Sequence, residues 1–204
     1  MEVTKVEAVK KTKWKVELNH QFAFVLYKKE LSRFGIEEGG ELSEELFEKI
    51  KKDIVLKRAK LRAMHLLTDM ARTESGLREK LKQGMYPEDI IEQTIAYVKS
   101  FGYLDDGKYA ENFILSRKES KSRKEIYALL INKGIDTDRV DRAFEDCYEE
   151  NGEREAIRRL IRKKRVDIPH ASEPELHKLY GYLARKGFRY EDIRQVIQNY
   201  NDNA

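Results

Sequence analysis

The chain has 204 residues, of which 38% are charged and 40% hydrophobic, and its formal net charge is +4. This length suffices for one or two domains, and the mean hydropathy of -0.74 indicates a very polar surface around modest cores. No apolar run approaches the roughly 20 residues that span a bilayer, the N-terminus lacks an apolar signal core, and the single Cys147 excludes an internal disulfide, so we expect a cytoplasmic protein without a membrane partner.

The first 42 residues differ in pattern from the rest of the chain. Alternating or continuous apolar runs predict three strands, over residues 3–7, 13–18 and 22–26. Asn19-His20 predicts the turn between the last two. A short helix over residues 27–34 should follow, broken at Glu38-Gly39-Gly40. We therefore predict a small β-rich extension over residues 1–42.

From Ser43 onward the pattern is helical, and three segments resemble one another. They begin at Leu77, Ile126 and Leu179, at offsets of 49 and 53 residues. Apolar residues recur at equivalent places with helical spacing. The matching sets are Leu77/Ile126/Leu179, Leu81/Leu130/Leu183, Tyr86/Ile135/Phe188, Ile91/Val140/Ile193, Ile95/Phe144/Ile197 and Val98/Cys147/Tyr200. Gly134 and Gly187 lie at the break between two helices, where glycine can form a left-handed cap, and Met85 takes their place in the first segment.

A further helix precedes each segment, so the repeating unit has three helices. In the first repeat its apolar face should be Ala59, Ala63, Leu66 and Met70, and the third repeat carries about seven extra residues around 166–172. Capping-box patterns begin helices at Ser122 and Ser172. One such unit buries little area alone, so we expect stacking against its neighbours to supply the core.

These patterns predict a mainly α fold. It should be an elongated array of three tandem three-helix repeats, preceded by the small β element. The repeats should cover residues 43–104, 105–151 and 152–204.

The segment FGYLDDGKYA, residues 101–110, allows three interpretations. Tyr103 to Asp106 has the Y-x-D-D form of a metal site, and Gly102 to Lys108 has most of a phosphate-binding loop. The helical patterns on both sides argue against each, because both motifs need strands. The third interpretation is a helix start, with Asp105 and Asp106 as the cap between repeats and Tyr103 and Leu104 packed beneath. We predict no enzyme, no metal site and no cofactor.

Basic residues gather in the second and third repeats. Arg154, Arg158, Arg162 and Arg165 have the spacing of one helical stripe, and arginine suits recognition of phosphates or carboxylates. A solvated helix face is the alternative for one helix, but the second cluster favours a binding surface. The predicted surface comprises Arg117, Lys121, Arg123, Lys124, Arg154, Arg158, Arg162, Lys163, Arg165, Arg185 and Lys186.

The chain resembles the RecX regulatory proteins, which modulate the RecA recombinase. The resemblance covers about residues 55–200 and rests on LREKLKQGMYPEDII, GYLDDGKYAENFI and YLARKGFRYEDI. The early Gly84 departs from the pattern and affects one loop. The resemblance implies a non-enzymatic array of three-helix repeats that binds RecA filaments on DNA, along the filament groove, and lowers ATPase and strand-exchange activity.

The resemblance thus places the chain in DNA recombination, DNA repair and the SOS response. The expected partners are the RecA filament and single- or double-stranded DNA, contacted directly or through RecA, by a monomer. The basic surface is an inference from charge alone. An independent DNA-binding scaffold is the alternative function, and a nucleotide- or metal-dependent enzyme rests only on residues 102–108.

Overall fold

The computed structural model describes residues 1–148 and 152–202. The predicted repeat boundaries at residues 151 and 204, and the acidic residues Glu149 and Glu150, lie outside this part of the chain. The chain forms two compact units, residues 1–105 and residues 106–204. The mainly helical fold with a small N-terminal sheet confirms the predicted class. The four-part domain division stays a prediction.

The N-terminal sheet has three antiparallel strands in the order β1-β2-β3. They are β1 (Val3–Lys10), β2 (Lys13–Leu18) and β3 (Gln21–Tyr27). Asn19 and His20 form the second turn with φ of 48° and 64°, the left-handed values that a two-residue hairpin turn requires. Val16 pairs with Val6 and with Phe24, and both Val16 and Phe24 are fully buried.

Helix α1 (Lys28–Phe34) follows the sheet directly. The Tyr27 amide donates to Glu30 Oε2 at 2.7 Å, which fixes the start of the helix. The helix ends at Phe34 as predicted, but the residue that ends it is Gly35, which adopts φ of 62° and caps the helix ahead of Glu38-Gly39-Gly40.

The remaining elements of the first unit are helical. They are α2 (Glu44–Ile50), a π-helix (Lys51–Leu56), α3 (Lys57–Asp69), α4 (Glu74–Gln83) and α5 (Glu88–Ser100). Ser43 caps α2 by accepting from the Leu46 amide at 3.2 Å, and Thr73 caps α4 by accepting from the Gly76 amide at 3.1 Å. Met70 is not on the predicted apolar face: it lies past the end of α3 in extended conformation and is 57% exposed.

Helices α6 (Asp106–Leu115), α7 (Arg123–Asn132) and α8 (Thr137–Cys147) begin the second unit. They are followed by α9 (Gly152–Lys164), a 3-10 turn (Ile168–His170), α10 (Glu173–Arg185) and α11 (Tyr190–Asp202). The capping box at Ser172 is complete. The Ser172 side chain accepts from the Glu175 amide, and the Ser172 amide donates to the Glu175 carboxylate. The box at Ser122 is half formed: Ser122 accepts from the Glu125 amide, but the Glu125 carboxylate pairs with Lys121 instead.

The core is divided among four buried clusters. One joins the sheet to α1, α2, the π-helix and the start of α3, so it extends across residue 43. The other three lie within α3 to α5, α6 to α8 and α9 to α11. The repeat-equivalent apolar residues are members of these clusters or pack against them. Each three-helix group therefore buries a cluster of its own, whereas we expected stacking to supply the core.

Candidate polyanion-binding surface

Residues 101–110 lie between two helices. Gly102 has φ of +69° and its amide donates to the Lys99 carbonyl at 2.9 Å, while the Tyr103 amide donates to the Val98 carbonyl at 3.0 Å. These bonds close the end of α5. Helix α6 begins at Asp106, directly after Asp105. The helical flanks are those predicted, and neither the metal motif nor the phosphate loop has the strand it needs. The capping role of Asp105 and Asp106 stays a prediction.

Tyr103 does not pack beneath this turn as predicted. Its side chain is 54% exposed and stacks on Phe101 with ring centroids 6.0 Å apart, whereas Leu104 is buried in the cluster of α3 to α5. Of these two neighbouring side chains, only Leu104 enters the core.

Side chains that could ligate a metal are dispersed in the described part of the chain. Within residues 1–148 and 152–202, no group of three or more His, Cys, Asp or Glu side chains could hold a metal ion. Burial raises the pKa of the half-buried Cys147 thiol, which keeps it protonated rather than nucleophilic. No helix in this part of the chain is long and apolar enough to cross a membrane.

Three of the predicted basic residues are held by carboxylates. Lys121 pairs with Glu125, Arg154 lies 3.5 Å from Asp192, and Arg158 lies 3.2 Å from Glu155. Two more rest on aromatic rings in the same unit, Arg117 at 3.8 Å from the centroid of Phe113 and Arg123 at 4.8 Å from that of Phe144. These contacts fix the side chains and leave five positive charges at defined places.

The other predicted cations differ in exposure. Lys186 is half-buried, and its Nζ lies 5.6 Å from the Tyr182 ring centroid. Five others are exposed and have no carboxylate partner among the residues the structure describes: Lys124, Arg162, Lys163, Arg165 and Arg185. An unpaired exposed cation keeps its full charge for an incoming anion. These five are therefore the part of the predicted surface best suited to binding.

The structure brings the two predicted clusters into neighbouring positions. The Arg123 amide donates to Glu153 Oε1 at 3.1 Å, and the Ser122 hydroxyl donates to the Lys186 carbonyl at 2.9 Å. Arg159 pairs with Glu119, and the hydrogen bond that its guanidinium donates to that carboxylate raises the pKa of Arg159. The start of α7 thus contacts the start of α9 and the end of α10.

Arg165 does not continue the stripe of α9. The helix ends at Lys164, and Arg165 has φ of 55° with its amide donating to the Arg162 carbonyl at 3.0 Å. A left-handed residue turns the chain away from the helix axis, so the helical angle no longer applies. The predicted stripe is therefore Arg154, Arg158 and Arg162 alone.

Two cations that the predicted surface omits lie beside Arg165. A cavity of about 500 Å³ is lined by Lys164, Arg165, Lys178 and Tyr182, with the inserted residues 166–171 on one side. Lys164 Nζ lies 4.6 Å from the centroid of the Tyr182 ring. One sequence feature could have led to this cavity. The repeat alignment located the insertion around residues 166–172, and this insertion separates α9 from α10.

Comparison with known proteins gives matches that cover most of the chain. A family model described as the first three-helix domain of RecX matches residues 59–97, and one described as the third matches residues 152–197. The regulatory protein RecX of Caldanaerobacter subterraneus subsp. tengcongensis is 30% identical over 193 residues, which are 94% of this chain and 95% of that protein. That of Clostridium acetobutylicum is 28% identical over 96% of this chain and 94% of its own length.

Solved structures agree on the fold. A crystal structure of a regulatory protein RecX covers 96% of this chain and 98% of its own, with 24% identity and a TM-score of 0.61. The crystal structure of RecX from Lactobacillus salivarius covers 73% of this chain and 97% of its own, with 25% identity and a TM-score of 0.62. The fold, the three-helix domains and the full-length sequence match agree, and the chain belongs to the RecX family of regulatory proteins.

Proposed function

We propose that this protein regulates the RecA recombinase by binding RecA filaments on DNA and lowering their ATPase and strand-exchange activity. The supporting observation is the match to RecX proteins over 94% of the chain. A role in recombination, repair and the SOS response follows from that partner. The relatives are named as regulatory proteins, which favours a non-enzymatic role. The monomeric state and the cytoplasmic location stay predictions from the sequence.

The contact surface we propose centres on α9 and the start of α7. Arg162, Lys163 and Lys124 are exposed there without carboxylate partners among the described residues. Their charge would meet acidic side chains of RecA or phosphates of the bound DNA strand. Electrostatic complementarity of this kind speeds association and fixes orientation.

The first test measures RecA ATPase on single-stranded DNA with increasing amounts of the protein. We expect ATP hydrolysis to fall at a stoichiometry of one protein to a few RecA subunits. The double variant Arg162→Glu/Lys163→Glu should raise the half-inhibitory concentration about tenfold, equivalent to about 1.4 kcal/mol. Unchanged ATPase at stoichiometric protein would contradict the proposed function.

The matched control is Arg142→Glu. Arg142 is exposed on α8, outside the proposed surface and beside Asp138 and Asp141 on the same helix. The substitution reverses one positive charge, as each substitution in the double variant does. If Arg142→Glu raises the half-inhibitory concentration as much per reversed charge as the double variant does, net charge rather than the α9 surface controls binding.

An independent DNA-binding scaffold is the second candidate. The exposed cations on α9 that lack carboxylate partners among the described residues favour it, because such cations can bind DNA phosphates directly without an acidic protein. It predicts tight binding to DNA without RecA that Arg162→Glu/Lys163→Glu weakens, with affinity falling steeply as salt is added. DNA binding without RecA that this double variant leaves unchanged would contradict the scaffold, because the α9 cations would then take no part in it.

A further inference from the structure

A second basic groove lies within residues 1–105, where the predicted surface has no members. It has a volume of about 570 Å³ and runs between the N-terminal sheet and helices α3 and α4. Val9, Lys10 and Lys13 come from the β1–β2 hairpin, and Val25 and Tyr27 come from β3. The opposite wall comes from α3 and from the end of α4. The N-terminal sheet thus forms one wall of this groove.

The charged side chains that line the groove are all basic. None of its described lining residues is Asp or Glu, while six carry basic side chains: Lys10, Lys13, Arg58, Arg62, His65 and Lys80. In a chain with 41 Lys and Arg against 37 Asp and Glu, such a segregation concentrates positive potential in one concave place.

The basic side chains differ in how they are held. Arg58 pairs with Glu30 and donates to the Val25 carbonyl at 3.1 Å, so its position is fixed. His65 lies 3.2 Å from Asp69. Lys10 and Arg62 are exposed, and the described residues offer neither of them a carboxylate partner. These two are the cations most accessible to a ligand.

Apolar and aromatic groups lie among these charges. Leu61 is 73% exposed and Val9 is 38% exposed, so both offer apolar surface to a ligand in the groove. Tyr27 is 36% exposed, with Arg58 at 4.5 Å and Lys13 at 5.9 Å from its ring centroid. Burial raises the pKa of Tyr86, at the end of the groove, so its hydroxyl stays neutral.

We propose that this groove binds single-stranded nucleic acid directly. Lys10, Arg62 and Lys80 hold backbone phosphates, and Tyr27 and Leu61 contact unstacked bases. Single strands expose both phosphates and base faces, which matches this mixture. A duplex hides its base faces, and the carboxylates of an acidic peptide would satisfy the cations but not cover the exposed apolar residues. The binding needs no RecA, so it goes beyond the proposed function and is tested separately.

The test uses the full chain and a labelled oligothymidylate of about 15 nucleotides, followed by fluorescence anisotropy over a series of salt concentrations. Lys10→Glu/Arg62→Glu should weaken binding at least tenfold. It should also lower the slope of log affinity against log salt by about 1.4, because two phosphate contacts are lost at about 0.7 each. An unchanged affinity and slope overturn the proposal.

The matched control is Lys29→Glu/Lys52→Glu. Both lysines are exposed in the same unit and do not line the groove, and the variant makes the same change in net charge. It should retain binding within about twofold. Equal loss in both double variants overturns the proposal, since net charge would then be the cause. Circular dichroism and thermal melting confirm that each variant is folded.

The apolar contact has its own readout. Leu61→Ser removes no charge and lies at an exposed position, so it should weaken binding about threefold or more while the salt slope stays the same. A DNA duplex of equal length should bind more weakly than the single strand. If Leu61→Ser has no effect and poly-glutamate displaces the oligonucleotide at equal charge, the groove is a site for acidic protein, and the nucleic-acid proposal fails.

The two proposals can fail independently. Oligonucleotide binding without RecA that Lys10→Glu/Arg62→Glu weakens, together with unchanged RecA ATPase, would support the groove and contradict the proposed function. Loss of ATPase regulation only in the α9 variants, with no oligonucleotide binding, would do the reverse.

Discussion

Met85, Gly134 and Gly187 occupy the same position in the three repeats and share one backbone conformation. Their φ values are 59°, 80° and 86°. In each repeat the next residue, Tyr86, Ile135 or Phe188, donates its amide to the carbonyl of the leucine five residues earlier, at 3.3 Å in all three cases. This bond closes the helix end in a Schellman-type motif. Two repeats supply the glycine that suits the left-handed turn, and the first does not.

Met85→Gly should stabilise the protein. A non-glycine residue in the left-handed region costs about 1 kcal/mol or more, and glycine removes that cost. We expect the free energy of unfolding in urea to rise by about 1 kcal/mol. The substitution leaves the hydrogen bond from the Tyr86 amide in place.

Gln83→Gly is the control for this substitution. Gln83 is the last residue of α4 and has helical geometry, so glycine there should lower the free energy of unfolding by roughly 0.5 kcal/mol. Destabilisation by Met85→Gly as well would mean that the methionine side chain contributes more by packing than the backbone loses by strain.

At the scale of elements, α4 and α5 are joined by an ion-pair network at two points. Arg78 contacts Glu92 of α5 with Nη2 to Oε2 at 2.9 Å and Glu74 of its own helix at 2.8 Å. Lys99 near the end of α5 pairs with Glu74. Burial alone would raise the pKa of Glu74, but the hydrogen bonds from Lys99 and Arg78 outweigh it and lower that pKa below its ordinary value.

Glu74→Gln should therefore destabilise the protein at neutral pH only. A carboxylate with a lowered pKa in the folded state stabilises the fold above its unfolded pKa, ordinarily 4.5. The stabilisation is lost as the pH falls below that value through the folded pKa. We expect a loss of about 1 kcal/mol at pH 7 that disappears as the pH falls through the folded pKa, measured by urea unfolding at each pH.

Glu79→Gln provides the comparison on the same helix. Glu79 is exposed and its carboxylate contacts only the Gln83 amide group among the contacts described, at 3.0 Å. Its replacement should change stability by less than about 0.5 kcal/mol at every pH. A pH-independent loss in Glu74→Gln would show that shape, and not charge, holds the two helices together.

At the scale of the whole molecule, residues 1–105 form a compact unit with two buried clusters. One includes Val16, Phe24 and Ile50, and the other includes Leu77 and Ile95. Tyr86 packs against both. The sheet is therefore joined to the first three-helix group through shared side chains rather than appended to it.

A fragment of residues 1–105 should fold alone. It contains every member of both clusters, so no buried side chain of this unit loses a partner within its cluster. We expect circular dichroism to show helix and strand and a single cooperative thermal transition.

The shorter fragment of residues 1–72 is the control. It lacks Leu77, Leu81 and Ile95, which leaves the second cluster incomplete. It should melt gradually or remain largely unfolded. Gradual melting of residues 1–105 would mean that this unit depends on the rest of the chain.

The sequence alone was sufficient to identify the helices, their order and most of the core. The spacing of Leu81, Leu130 and Leu183 predicted buried positions, and all three are fully buried. Periodic burial leaves this trace because a core residue must recur on one face of its helix. The exact end of α9 was less predictable: the predicted stripe ran on to Arg165, which instead follows the helix in a left-handed conformation that no periodicity encodes.

The functional surfaces depended on tertiary structure. The sequence showed that Arg162 and Lys124 are charged, but only the structure showed that carboxylates occupy Arg154 and Arg158 and leave these two unpaired among the described residues. The groove of Lys10, Arg62 and Lys80 escaped prediction, because its members come from three separate elements. A buried apolar residue must recur with the period of its helix, so its position can be predicted from the sequence. An exposed charge has no such period, so its neighbours are known only once the tertiary structure brings separate elements together.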